Sequence, residues 1–137
     1  MAKYGIDAID PYHLSMNILI ERFCFVIGHA NIRGSIIAEA RDTISNRKLE
    51  LAWQNVQVSG TKFLKATEMN HRIHNLSLKT KQDNLAGLEI ADAIVTPIAR
   101  NILNRKSRID LDIINRKIWV NDLTGKINGH GLVILPK

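Results

Sequence analysis

The first regular pattern of hydrophobic positions begins near residue 10 and has the spacing of a helix. Apolar side chains follow one another at four- and three-residue steps, in the order Tyr12, Met16, Leu19, Phe23 and Val26. This spacing places them in one stripe of an amphipathic α-helix. Asp10 and Pro11 suit the N-cap and the first helical position, and Gly28 suits the end of the helix.

Three short apolar runs predict β-strands. Residues 35–38, Ser-Ile-Ile-Ala, have the composition of a short strand that is buried on both faces. A second candidate strand, at 76–78, lies within a mixed polar segment. An apolar run at 132–135 predicts a last strand, which Pro136 ends.

Two further helices are predicted on either side of the middle of the chain. The first covers about 47–58 and ends at Gly60, with Leu49, Trp53 and Val56 on one face. The second is weaker and begins near Ser107, where the spacing to Asp110 is that of a capping box.

The strongest helical periodicity begins after Asn84. Its stripe consists of Leu85, Leu88, Asp92, Val95, Ala99 and Ile102, and it extends over about five turns. The opposite side is apolar too, because it carries Ile90, Ile94 and Ile98, so we expect this helix to be largely buried. Pro97 lies inside it and is expected to remove one backbone hydrogen bond and bend it.

Composition adds limits to this pattern. A chain of 137 residues with 45% hydrophobic and 23% charged residues is typical of a single globular domain, here 1–137. No apolar run is long enough to cross a bilayer, the first residues lack the apolar core of an export signal, and Cys24 is the single cysteine. We therefore expect a cytoplasmic protein without a membrane partner.

The charge balance points to a possible partner. The net charge of +6 favours a polyanion such as nucleic acid. With three Phe, two Tyr and two Trp, no aromatic platform for stacking single-stranded bases is evident in the sequence.

Two carboxylates in apolar segments are the strongest candidates for chemistry. Asp92 occupies a stripe whose other members are apolar, and Glu39 ends the first strand, where α/β folds present functional side chains. A carboxylate on a buried helix is costly without a cation or a hydrogen-bond donor. Asp92 is therefore an ion-pair partner of a buried Arg or Lys, or else a metal ligand or general base, and Glu39 is either solvated or functional. If the two converge, they suit Mg²⁺ or Mn²⁺.

One segment resembles the signature of a known family. Residues 81–92, Lys-Gln-Asp-Asn-Leu-Ala-Gly-Leu-Glu-Ile-Ala-Asp, are similar to the K-x-x-N-(I/L)-A-G-L-(Q/E)-(L/I)-A-D motif of a bacterial and phage family called domain of unknown function 3800. The downstream Pro-Ile-Ala-Arg at 97–100 matches that family as well. Further agreement at 10–12, 36–41, 60–63 and 129–132 extends the resemblance over nearly the whole chain.

The resemblance implies a ribonuclease H-like fold and a metal-dependent site. By resemblance, Glu39 and Asp92 take the places of the central-strand Glu and the late-helix Asp, as catalytic residues and ligands of Mg²⁺ or Mn²⁺. Arg41, Lys81 and Asn84 match family positions beside that site. We expect these three residues to orient the carboxylates or to contact phosphate. Arg100 is a further candidate for the contact with phosphate.

The chain departs from the family near its start. Members usually begin with a strand that carries Asp-Glu-Ser-Gly, whose Asp is the first metal ligand, and this sequence has no such motif. We therefore expect an α/β, partial ribonuclease H-like fold with few strands and several helices, equivalent to the C-terminal half of the family fold, with the N-terminal strands absent. The strand around Ile36 and Ile37 would then have an open edge, which predicts a homodimer or a partner chain that completes the sheet.

Two functions compete at this point. The first is a fragment or subunit of a metal-dependent, ribonuclease H-like nuclease that hydrolyses phosphodiesters and is inactive alone, because two-metal catalysis needs more than two carboxylates. The second is a non-catalytic module that binds nucleic acid or protein. Cleavage that is restored by adding a fragment carrying Asp-Glu-Ser-Gly, and that is lost in Asp92→Asn, favours the first, and salt-dependent binding without metal favours the second.

Overall fold

The computed structural model describes residues 10–29, 31–105 and 110–135, and of His29 the backbone only. In chain order the elements are α1 (Pro11–His29), β1 (Gly34–Glu39), α2 (Thr43–Ser59), α3 (Ala66–Arg72), β2 (Ile73–Lys79), a 3₁₀ turn (Lys81–Asp83), α4 (Ala86–Ile102) and α5 (Asp110–Asn115). Strands β1 and β2 form a two-stranded parallel sheet, so α2 and α3 make the connection between them. The protein is mixed α/β, as predicted. A pair of strands fits many α/β folds, and the ribonuclease H-like arrangement stays a prediction.

The described residues divide into two compact units. The first comprises the described residues up to Ile36 together with Ala40–Leu78, and the second comprises Ile37–Glu39 and the described residues from Lys79 onward. The single domain expected at 1–137 stays a prediction. Within the part of the chain that the structure describes, no helix is both long enough and apolar enough to cross a membrane.

The core of the first unit is formed by α1, α2 and the segment that follows them. Its buried members are Met16, Ile20, Cys24, Ile27, Ala52, Trp53, Val56, Leu64, Met69 and Ile73. The face predicted for α2 is confirmed, since Trp53 and Val56 are buried and Leu49 packs against the core. Burial raises the pKa of the Cys24 thiol, as expected for a plain core cysteine.

Helix α1 is confirmed, but the stripe predicted to be buried is partly wrong. Leu19 and Val26 are 54% and 43% exposed, whereas Ile20 and Cys24 are fully buried. Neighbouring stripes of this helix are both apolar, and they differ by one residue, or about 100° of rotation. The packing of α2 and α3, which local spacing does not record, decides which of the two is buried.

Local hydrogen bonds explain where the first helices begin and end. The Tyr12 N–H donates to Asp10 Oδ1 at 2.8 Å, which confirms the predicted cap of α1. Helix α2 begins before the predicted residue 47, because Asp42 caps it and accepts from the Ser45 N–H at 2.9 Å. Hydrogen bonds from Ser45 lower the pKa of Asp42. Gly60 ends α2 as predicted, with φ at 72°.

The strands differ from the predictions in three respects. Strand β1 is confirmed in position, but burial on both faces is wrong, because Ile37 is 47% exposed. Strand β2 is longer than the predicted 76–78, and α3 directly before it was not predicted. The strand predicted at 132–135 is wrong: Leu132 makes an isolated bridge to Asn128, and its N–H donates to the Ile127 carbonyl at 3.2 Å, within a turn.

The start of α5 lies partly outside the described residues. The predicted capping residue Ser107 belongs to that gap, and α5 is described from Asp110. Leu111 is its buried residue.

Candidate functional site

Helix α4 has the predicted extent, but the prediction that it is largely buried is wrong. Ile90 and Val95 are 58% and 63% exposed, and Asp92 is exposed too. The packed side of the helix carries the buried Pro97 and the half-buried Ile94 and Ile98. Asp92 forms no ion pair with any described residue, so the alternative in which it pairs with a buried Arg or Lys has no support among these residues.

A cleft of about 270 Å³ lies in the second unit. Its lining consists of Glu39, Thr80, Lys81, Asn84, Leu85, Leu88, Glu89 and Asp92. Four of these were singled out from the sequence, namely Glu39, Lys81, Asn84 and Asp92. The structure thus brings together the two carboxylates and two of the four residues expected to contact substrate.

Each lining side chain has a clear origin in the local structure. Glu39 is the last residue of β1, where the strand presents its side chain at the sheet end. Leu85 precedes α4, and Leu88, Glu89 and Asp92 then follow at three- and four-residue spacing. One face of the start of α4 therefore provides half of the lining.

The turn before α4 holds Lys81 and Asn84 in place. Thr80 and Asp83 form a capping box, in which Asp83 Oδ2 accepts from the Thr80 N–H at 2.7 Å and from its hydroxyl at 3.0 Å. These bonds lower the pKa of Asp83. Asn84 adopts a left-handed conformation with φ at 53°, one of the few non-glycine residues that tolerate it. The capped turn therefore fixes the two residues relative to the first turn of α4.

The charges of the lining are mixed but mainly negative. Lys81 Nζ lies 3.7 Å from Glu39 Oε1, and the Lys81 side chain is 78% exposed while that of Glu39 is 29% exposed. A pair this exposed is weak. Because Glu39, Glu89 and Asp92 outnumber Lys81, the cleft is an acidic feature of a protein whose net charge is +6.

The donor atoms suit a hard cation, but the ligand set is incomplete. Carboxylate and amide oxygens are the ligands that Mg²⁺ and Mn²⁺ prefer. Within the described residues, no three His, Cys, Asp or Glu side chains lie close enough to hold a metal ion together. Mg²⁺ is commonly held by one or two carboxylates with water and substrate phosphate as the other ligands, so the cleft fits that mode and not a closed protein cage.

Arg41 and Arg100, the other two predicted contacts, do not line the cleft. Arg41 belongs to the first unit, where its backbone N–H donates to Asn46 Oδ1 at 2.8 Å. Arg100 is exposed in the last turn of α4, about 12 Å along the helix axis from Asp92.

Glu89 is the lining carboxylate that the sequence interpretation missed. It precedes Asp92 by three residues, and residues at this spacing share a helix face. This spacing is visible in the sequence, but a charged residue outside the apolar stripe is ordinarily interpreted as a solvated side chain.

Comparison with known protein families, with curated proteins and with solved structures finds no match to this chain.

Proposed function

We propose that the cleft is part of a divalent-metal-dependent site for phosphodiester hydrolysis, in a fragment or subunit of a ribonuclease H-like nuclease that is inactive alone. The observation that carries this proposal is the convergence of Glu39, Lys81, Asn84 and Asp92 on one cleft. Glu39 is distant from the other three in the sequence, so its position there follows from the fold and not from local spacing.

Four of the eight lining residues have a distinct part in this proposal. Glu39 and Asp92 would hold a Mg²⁺ or Mn²⁺ ion, with water and a substrate phosphate as its other ligands. When bound, such an ion activates water as a nucleophile and stabilises charge on the phosphate. Lys81 supplies a cation to the phosphate, and Asn84 supplies an amide that can donate to a phosphate oxygen.

The proposal includes a reason for inactivity. Two-metal hydrolysis stabilises both the attacking and the leaving oxygen, which requires further acidic ligands. Because the described residues contain no group of three ligands, the missing carboxylate has to come from elsewhere, such as a segment or chain that carries Asp-Glu-Ser-Gly.

Metal binding tests the proposal most directly. We expect Mn²⁺ to bind the wild-type protein in calorimetry and to bind Asp92→Asn much more weakly. Asp122→Asn should bind Mn²⁺ with the affinity of the wild type. Asp122 is an exposed aspartate outside the cleft, so it is a control with the same change of charge. A crystal soaked in Mn²⁺ should show anomalous density between Glu39 and Asp92. Equal weakening by both substitutions, or no binding, would contradict the proposal.

A non-catalytic role is the second candidate, and the Lys81–Glu39 ion pair favours it. In that case the ion pair is part of a binding surface and not of an incomplete metal site, and the protein binds nucleic acid or protein without catalysing a reaction. Binding of DNA or RNA that falls with salt, in a protein that does not bind Mn²⁺, would favour this function.

We propose further that the protein forms a homodimer through the open edge of its sheet, with a partner chain as the alternative. Support comes from the small size of the sheet: each of its two strands has one edge unpaired by any described strand. Open strand edges are sites of strand addition.

A further inference from the structure

The loop between α2 and α3 presents an aromatic ring to solvent. Phe63 is 62% exposed, and among the described residues it is the only aromatic side chain in the set of exposed large hydrophobic residues. Its neighbour Leu64 is 3% exposed and belongs to the core of the first unit. Because the buried Leu64 anchors the loop, the exposed Phe63 ring is held more firmly than a side chain at the tip of a loose loop.

Hydrogen bonds hold this loop in one conformation. The Thr61 N–H donates to the Leu64 carbonyl at 2.9 Å, and Thr61 Oγ1 accepts from the Leu64 N–H at 3.2 Å. The buried Glu21 accepts from the Phe63 N–H at 3.3 Å. Gly60 has φ at 72°, and a Cβ there would collide with the Leu64 carbonyl oxygen. The ring is thus held before any partner arrives, which lowers the entropy cost of binding.

Two lysines accompany the ring. Lys62 Nζ lies 5.3 Å from the centroid of the Phe63 ring, and Lys65, which follows the buried Leu64 in the chain, is exposed. No acidic residue occurs between Gly60 and Thr67. An aromatic face bordered by cations is the combination that binds single-stranded nucleic acid, in which bases stack on the ring and phosphates meet the lysines.

We propose that residues 60–65 form a contact for single-stranded nucleic acid, with one base stacked on Phe63 and the flanking phosphates on Lys62 and Lys65. The net charge of +6 complements such a ligand. One ring offers too little apolar area to anchor the loop in a bilayer. This inference concerns binding alone and does not depend on hydrolysis in the cleft.

Fluorescence anisotropy of the full chain with labelled oligo(dT), in EDTA, tests the contact. We expect Phe63→Ala to weaken binding about tenfold or more, and Phe63→Trp to preserve it. The control is Ile44→Ala, which removes another exposed apolar side chain of the same unit and should change nothing. Lys62→Gln and Lys65→Gln should each reduce the slope of log affinity against log salt by about 0.7.

Three results would overturn the inference. The first is a Phe63→Ala variant that binds oligo(dT) as the wild type does, and the second is a Phe63→Leu variant that does so, since leucine cannot stack. The third is a wild-type protein that does not bind oligo(dT), whether or not it binds phosphatidylserine vesicles through Phe63. Because EDTA removes divalent metal, failure of this contact is distinguishable from failure of the metal site.

Discussion

Lys81 has opposite effects on the two kinds of ligand that the cleft could bind. Its ammonium group lies 3.7 Å from Glu39, where it would compete with the proposed metal ion for that carboxylate. The same group attracts the phosphate of a nucleic acid. An exposed ion pair of this kind is worth about 0.2–1 kcal/mol, so Glu39 can exchange Lys81 for another cation at little cost. Substitution of Lys81 therefore separates metal binding from phosphate binding.

We predict that Lys81→Gln increases the affinity for Mn²⁺ up to about fivefold, because Glu39 loses a competing cation. The same variant should bind single-stranded oligonucleotide more weakly. Calorimetry with Mn²⁺ measures the first effect, and anisotropy in Mn²⁺ measures the second.

Lys79→Gln is the matched control for this experiment. Lys79 is exposed, lies two residues before Lys81 in the chain and does not line the cleft. Lys79→Gln therefore removes the same charge from outside the site. If both variants increase Mn²⁺ affinity equally, the effect is one of net charge, and the proposed competition at Glu39 is refuted.

Helix α1 shows how the elements of the first unit are stabilised. Ile20 is fully buried among Met16, Cys24 and Trp53 in the core cluster, whereas its neighbour Leu19 is 54% exposed. The two side chains have the same number of carbons, so the difference between them is one of position and not of size.

We predict that Ile20→Ala lowers the free energy of unfolding by about 2–5 kcal/mol, because it removes buried apolar surface and leaves a cavity. Leu19→Ala should change it by no more than about 0.5 kcal/mol. Urea denaturation followed by circular dichroism measures both. Equal losses would contradict the difference in burial seen here, and a larger loss from Leu19→Ala would show that the stripe expected from the sequence faces the core.

These two side chains also show what local sequence can predict. Helix ends follow from caps such as Asp10 and Gly60, whose hydrogen bonds are made within a few residues, and those predictions are confirmed. The side of α1 that becomes buried depends on where α2 and α3 pack, which no local spacing records. Helix propensity and apolar period are weak guides wherever tertiary contacts decide.

Local spacing predicts part of the cleft lining, and the rest of the lining depends on tertiary structure. The common face of Glu89 and Asp92 follows from helical spacing. The presence of Glu39 beside them depends on the path of β1, and the sequence predicts it only through the family resemblance, which includes residues 36–41. The exposure of Asp92 was not anticipated, because an apolar stripe predicts a buried helix and α4 is packed on one side alone.

At the scale of the whole molecule, the sheet is small and its strands have unpaired edges among the described residues. It contains two strands, and a sheet of that size is marginal unless other elements cover it. Ile37 in β1 is 47% exposed, so this strand combines an unpaired edge with exposed apolar surface. Natural proteins commonly protect such edges with charged residues or by pairing, and β1 carries no lysine.

We predict that the protein is a dimer at concentrations in the tens of micromolar, in which β1 pairs antiparallel with β1 of a second copy across a two-fold axis. Near such an axis Ile37 and its counterpart are close, so Ile37→Lys places two like charges together and should yield single chains in light scattering. Ile44→Lys adds the same charge to an exposed position of α2 and should leave the dimer intact. A wild-type protein that has the mass of one chain would refute the dimer. A dimer that survives Ile37→Lys would instead move the interface away from β1, because a pairing centred on this strand cannot accommodate two facing lysines without loss of affinity.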